Sequence, residues 1–228
     1  GWGIADPHSD LSRFWLLLLL ATGIATVISS HSRYSAAAIA PDGICVATIE
    51  TTSDYLTRLV ILSYASDTVA VRFPNPGNDM LAMPRWTQDG KSILLLRTNA
   101  EGKTISRVDV ATGTMTDLLP RSQENVGHPV PWGDYVFFNS PEGGMDNIHA
   151  LHLPTGNRYQ VTVSRYGAYN PAISDDGKWM YYNDQTRDGM DVVRMPVDPS
   201  AWKPFTPTAP SANLSFDHLV EQEANPDL

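Results

Sequence analysis

The sequence predicts an all-β fold made of about four consecutive four-stranded antiparallel units, and three observations predict it. An Asp-Gly turn recurs at Asp42-Gly43, Asp89-Gly90 and Asp176-Gly177, with Trp132-Gly133 in the equivalent place, so the glycines step by 47, 43 and 44 residues. A second marker follows each turn: Thr112-Gly113 and Thr155-Gly156 lie 23 residues after Gly90 and Gly133, and Ser66-Asp67 lies 23 to 24 after Gly43. No apolar stripe of helical period runs anywhere between Tyr34 and Thr208.

Each element follows from its residues. The chain opens with a leader, residues 1–33, in which Phe14–Ile28 is fifteen residues without a charge, preceded by Arg13 and followed by small residues. That run is short for a bilayer span and suits the apolar region of a secretory signal or an anchor. The leading stretch also carries Asp6 and Asp10 with one basic residue, and a buried helix of a preceding domain is the other reading. Either way a short apolar helix is expected there.

The repeating units then run Tyr34–Pro74, Leu81–Pro120, Gly127–Val163 and Tyr169–Thr208, a repeat region of 34–208, and a polar acidic tail covers 209–228. "SILLLR", "YVFFNS" and "WMYYND" are short runs of leucine, β-branched and aromatic residues bounded by turn formers, which read as buried strands. "ISRVDVA", "NIHALHL" and "DVVRMPV" alternate as half-exposed strands do, and "MTDLLP", "RYQVTV" and "WKPFTP" are expected as the outermost strands of their units. Asp-Gly makes the first hairpin because glycine takes positive φ at little cost, and Thr-Gly makes the last. Gly102, Gly144 and Gly189 recur between these turns, and Pro84 and Pro171 each precede a turn glycine by six residues. Pro129 precedes Gly133 by four.

A four-stranded unit of 40 to 50 residues is the blade of a β-propeller. Such a unit has two apolar faces and cannot bury both alone, so copies stack. Four blades would close only a very tight ring, and an open arc or part of a larger ring is the expectation, with missing blades or an adjacent domain of the same polypeptide completing it. The fourth blade's face around Trp179, Tyr181 and Val193 is then expected to be uncovered by the first.

With these residues laid out, "APDGICVATIE", "TQDGKSILLLRTNAEGK" and "SDDGKWMYYNDQTRDGMD" resemble the Pro-Asp-Gly-Lys repeat of TolB-type propellers, and the pattern is similar to the propeller of prolyl-oligopeptidase-type peptidases. The likeness covers Tyr34 to about Thr208. Ile44 stands where lysine is usual, Gln88 and Asp175 stand for proline, and "VPWGDYVFF" lacks the turn motif. The motif residues are turn formers, so the resemblance implies a fold. It further implies a non-catalytic extracytoplasmic module, periplasmic or membrane-anchored, that binds protein or cell-envelope partners. The alternative it implies is the substrate-gating propeller of a peptidase whose catalytic domain lies elsewhere.

Composition narrows the classes. A net charge of −9 argues against a nucleic-acid partner, which demands a basic face. Cys45 is the single cysteine, so there is no internal disulfide and no cysteine-based zinc site. "EGKT" at Glu101–Thr104 lacks the first glycine of a phosphate loop, whose place is held by Arg97. His149 and His152 are three apart on a strand and point to opposite faces. Asp188, Gly189 and Asp191 lack the alternating oxygen ligands of a calcium loop. Asp42, Asp89 and Asp176 read as turn acceptors, and Trp86, Trp132, Trp179 and Trp202 as packing between units. No G-x-S-x-G elbow is present. No catalytic residue, cofactor or metal is therefore assigned. The candidate partner-binding residues are Arg121, Glu124, Arg165, Tyr166 and Tyr169, in the loops that join successive units, because arginine and tyrosine are favoured interface anchors.

Overall fold

The computed structural model describes residues 33–63 and 68–207, together with the backbone of two short strands, β1 (Leu17–Leu19) and β2 (Ala25–Val27). The Ser66-Asp67 marker and the tail beyond 207 lie outside the described residues. Where the sequence predicts a helix over Phe14–Ile28, β1 and β2 pair antiparallel, with Leu17 opposite Val27. Within β2 the β-branched Thr26 and Val27 favour extended backbone over helix. Among the described residues no helix is long and apolar enough to cross a membrane.

Four antiparallel sheets follow. The first holds β3 (Arg33–Ile39), β4 (Cys45–Thr51), β5 (Thr57–Ser63) and β6 (Thr68–Arg72) in that order. The second holds β7 (Met80–Trp86), β8 (Ser92–Asn99), β9 (Gly102–Asp109) and β10 (Met115–Asp117). The third has β11 (Gly127–Trp132), β12 (Tyr135–Ser140), β13 (Asn147–His152) and β14 (Arg158–Gln160), and the fourth has β15 (Ala168–Ile173), β16 (Trp179–Thr186) and β17 (Gly189–Pro196). The turn glycines Gly43, Gly90, Gly133 and Gly177 have φ of +72°, +68°, +54° and +70°, as their hairpins require. Asp42, Asp89 and Asp176 each accept the backbone N–H two residues on, at 2.9, 3.0 and 3.1 Å.

The sheets stack face on face. Residues three and five after each turn glycine point back to the preceding sheet, and those four and six after it point to the next. Thus Ala47, Ile49, Leu59 and Ile61 meet Ile93, Leu95 and Val108. Leu94, Leu96 and Ile105 meet Val136, Phe138 and Leu151, and Phe137, Ile148 and Ala150 meet Met180 and Tyr182. Burying one such side chain contributes about 1.5–3 kcal/mol. Trp86 donates Nε1–H to Ala38 O of the first sheet at 3.0 Å. Trp132 lies against Gly177 so closely that a Cβ there would sit 2.6 Å from the indole Nε1.

The last strand departs from the expected pattern. "WKPFTP" does not edge the fourth sheet: after a 3-10 turn at Pro199–Ala201, β18 (Lys203–Phe205) pairs with β14, giving the third sheet five strands and leaving the fourth with three. Aromatic packing decides this. Trp202 is buried edge-on against Tyr135 and Phe137, at centroid distances of 5.1 and 5.5 Å, and Phe205 stands edge-on to His149 at 4.6 Å.

Strand packing runs from the first sheet to the fourth, with no comparable packing between fourth and first among the described residues, so these sheets form an open arc. Tyr181 and Val192 are exposed on the fourth sheet's outward face, Val192 at 74%. Val193, expected on that face, pairs with Tyr182 on the side facing the third sheet, because side chains alternate along β17. Trp179 does not pack between units either; it lies under the Arg194 guanidinium at 4.5 Å on its own sheet.

Candidate functional site

The loops joining successive blades share a face with the hairpins between second and third strands. Seven residues after each turn glycine, close to that face, stand Glu50, Arg97, Ser140 and Asp184. In the first three blades this position anchors an ionic network. Glu50 is buried and meets Arg72 Nε at 3.0 Å and Arg58 Nε at 3.2 Å. Arg97 bonds Asp79 at 2.7 Å and Asp117 at 3.0 Å, and Arg121 bonds the same two carboxylates at 2.9 and 3.0 Å, closing a four-membered ring of alternating charge. Burial pushes the Asp79 carboxyl up, but hydrogen bonds and charge from Arg121 and Arg97 outweigh it and hold the pKa below the usual range.

The third network is the most enclosed. Arg158 donates to Glu124 through both terminal nitrogens, at 3.0 and 2.6 Å, to Ser140 Oγ at 2.7 Å and to His149 Nδ1 at 3.0 Å. Ser140 also bonds Glu124. The Arg158 guanidinium is sandwiched between the Phe138 and Phe205 rings at 5.0 and 4.8 Å. Burial pushes Glu124 up, and the bonds from Arg158 and Ser140 reverse this to leave its pKa lowered. Burial, then the Arg158 charge, pulls His149 down to about 3, so its ring is neutral at physiological pH. Ser140, His149 and Glu124 supply the residue types of a nucleophilic triad without its order. The serine hydroxyl is bonded by carboxylate and guanidinium, not by imidazole, and Ser140 and His149 have no exposure at all. A cleft of about 360 Å³ beside this network is walled by Leu118, Leu119, Leu151, Phe205 and Pro207.

The five candidate residues therefore separate. Arg121 and Glu124 are inward-facing ties that fix the loop between the second and third blades. Arg165 and Tyr166, between the third and fourth, lie together, the guanidinium 5.4 Å from the ring centroid, with Tyr166 42% exposed. Tyr169 is half-buried, its ring folded onto Gly167, where a Cβ would lie 2.7 Å from the ring carbon Cε2; burial and then Asp146 raise its pKa. Spacing hides the buried partners Asp79 of Arg121 and Arg158 of Glu124, which lie 42 and 34 residues away in the chain, although Asp117, four residues before Arg121, is local. The recurrence of polar residues seven places after each turn glycine is the signal that leads to them.

Stacked four-stranded meanders, bulged inner strands and joining loops on one face define β-propeller blades. The solved structures agree. The chain matches TolB from Acinetobacter baumannii with a TM-score of 0.64 at 19% identity, over 83% of this chain and 48% of that one. A protein assigned as TolB from Agrobacterium tumefaciens matches at 0.59 and 20% identity, over 73% and 62%. A puromycin-hydrolyzing peptidase from Mycobacterium tuberculosis matches at 0.62 and 13% identity, over 81% and 30%. The chain thus spans about half to under two thirds of the TolB structures it matches. No family model and no curated protein matches the sequence. At these identities the likeness establishes the fold, a TolB-like propeller architecture.

Proposed function

We propose that this chain is a non-catalytic propeller module that binds a protein partner outside the cytoplasm, through its blade-joining face around Arg165 and Tyr166. The observation that carries this is the contrast on that face. Arg121 and Glu124 are locked into ion-pair networks, whereas the stacked Arg165–Tyr166 pair is presented outward on a loop whose base is held by Ser164 bonding Gly167 N and O, at 3.0 and 3.1 Å. A pre-ordered tyrosine–arginine pair on a rigid scaffold is the composition of an interface hot spot. The apolar run Phe14–Ile28 and the likeness to TolB support an extracytoplasmic place, with the run as secretory signal or anchor.

A photo-crosslinking residue at position 166, expressed in the native host, is expected to trap a protein adduct that Arg165→Ala abolishes. An export-dependent reporter fused after Thr208 is expected to be active. A reporter active only in the cytoplasm, or an adduct unaffected by Arg165→Ala, refutes the reading. The likeness to the peptidase propeller favours a second reading, a gating propeller attached to a catalytic domain. A fluorophosphonate probe separates them: labelling of a serine in the same polypeptide supports the second and overturns the first.

A further inference from the structure

β18 sits as a fifth strand on the third sheet, yet the chain gives it the reach to be the fourth strand of its own. Between the third and fourth strands lie four residues in the first sheet, from Ser63 to Thr68, and five in the second and third, from Asp109 to Met115 and from His152 to Arg158. Six lie between Pro196 and Lys203. Links of four or five residues turn back onto the neighbouring edge in the other three sheets, so length does not forbid it in the fourth. The edge that β18 would meet is free. β17 runs eight residues in unbroken register with β16, and no described strand pairs with its other side. Val197 N donates to Lys178 O at 3.0 Å, so alternation turns the N–H and C=O groups of Val192 and Arg194 away from β16. The other outer strands are shorter, five residues in β6 and three in β10 and β14. A long, regular, open edge is a template for another strand.

The seat on β14 is held by few groups. Of residues 201–207, only Trp202 is buried and Phe205 half-buried; the rest are exposed. Three residue pairs make the ladder, and the middle one, Tyr159 with Pro204, lies between the bonded pairs, where proline's missing N–H is not needed. The anchors do not seat without loss. Trp202 Nε1–H is buried with no acceptor among the described residues, and so is His149 Nε2, on the ring that Phe205 meets edge-on, with no partner among them. A buried polar atom left unpaired carries a desolvation penalty that contact with water removes. Phe205, Thr206 and Pro207 also form one wall of the cleft beside Glu124 and Arg158, so the cleft widens when the strap leaves.

We propose that β18 is a two-position strap, exchanging between the edge of β14 and the free edge of β17. On β14 it closes the cleft. On β17 it completes a fourth four-stranded sheet and opens the cleft and the Arg158–Glu124 network to solvent. The ladder given up at one edge is made again at the other, so Trp202 and Phe205 set the balance, not the main-chain bonds. The inference rests on strand pairing alone and is independent of the partner-binding reading above.

Hydrogen exchange on the full chain reads both edges at once. Trp202→Ala is expected to speed exchange of the Arg158 and Gln160 amides and, in the same sample, to slow that of Val192 and Arg194, each about tenfold, as local opening and closing do. Phe205→Ala should give the same crossed pattern more weakly. Amides of β8 and β9 report whether the rest of the molecule stays folded, and Phe205→Ala carries the test if Trp202→Ala disturbs them. A strap locked in place supplies the control. Tyr159→Cys with Pro204→Cys, in a Cys45→Ser background, puts two thiols on a non-bonded strand pair, about 4.5 Å apart at Cα and within reach of a disulfide. Oxidised, this chain carrying Trp202→Ala is expected to keep β14 protected and the Val192 and Arg194 amides fast; reduced, it is expected to return the crossed pattern. Val192 and Arg194 amides that do not slow in the anchor variants overturn the proposal, because the strap then only frays. So does slowing that survives oxidation, because something other than the strap then covers that edge.

Discussion

Arg158→Met tests the most enclosed of the three ionic networks. The side chains of Arg158 and Glu124 are 5% and 11% exposed, so removing the guanidinium leaves a carboxylate with little access to water. Breaking a buried pair in this way costs about 3–5 kcal/mol. Loss of the guanidinium between the Phe138 and Phe205 rings adds about 0.5–1 kcal/mol for each, partly offset by methionine packing in the same slot. The net, about 4–6 kcal/mol, is a large share of the 5–15 kcal/mol typical of whole domains. The pH dependence carries a sign. In the parent the folded pKa of Glu124 is lowered, so its contribution is present above the unfolded carboxyl value of about 4.3 and is lost as pH falls through the folded value. In the variant, burial without the cation raises that pKa. The carboxyl then protonates early, and the gap between the two proteins narrows as the solution is acidified. Urea unfolding followed by tryptophan fluorescence at several pH values measures this, with Trp202 on the same sheet as reporter. A loss under about 1 kcal/mol at neutral pH, or a gap that widens in acid, would refute the account of Glu124 as a carboxylate held ionised by Arg158.

Gly102→Ala should be severe, because φ is +130° and the new Cβ would lie 2.6 Å from Ser122 C, in a backbone bridge that cannot yield; loss of about 3 kcal/mol or more by urea titration is expected. Gly144→Ala, with φ of +94° and open space, should cost only the backbone strain of about 1–2 kcal/mol. Met83→Gly is expected to stabilise by up to about 1 kcal/mol, since Met83 pays left-handed strain while 37% exposed; a fall in the urea midpoint would contradict the strain argument. Trp202→Ala should cost about 3–5 kcal/mol and expose the amides of Arg158–Gln160 to exchange, as β18 loses its anchor.

The turn glycines and the Asp side chains beside them were legible because a hairpin is a local object. Its requirement for positive φ and for an acceptor two residues away is written in adjacent positions. Even Gly133, stripped of its aspartate, was found from spacing alone. The route of "WKPFTP" was not legible, because local pattern says strand and is silent on which edge. That choice rests on Trp202 finding Tyr135 and Phe137 across more than sixty residues of chain. In the leader an uncharged run suits helix or strand alike, and the described residues Leu17–Leu19 and Ala25–Val27 are paired strands. At the candidate site, residue type correctly favoured arginine and tyrosine in the joining loops. It did not separate Arg121 and Glu124, which face inward, from Arg165 and Tyr166, which face out. That distinction depends on partners far away in the chain.

The pairing of β14 with β18 sets an order of events. Every other ladder among sheets one to four joins strands adjacent in the chain, so each meander can assemble as soon as it has been synthesised. Arg158 and Phe205 are 47 residues apart, and the whole fourth sheet lies between them. The third sheet therefore stays unfinished until the fourth has been made, and the loop-closure entropy of that late step is met only when Trp202 and Phe205 reach their aromatic partners. The strap acts as a latch. During synthesis the edge of β14 stays unpaired for the time needed to translate about forty residues, roughly two to eight seconds at 5–20 residues per second, and that interval is when the nascent chain is most exposed to pairing with a neighbour. Once closed, it ties the fourth sheet back to the third, so release of either requires both to open.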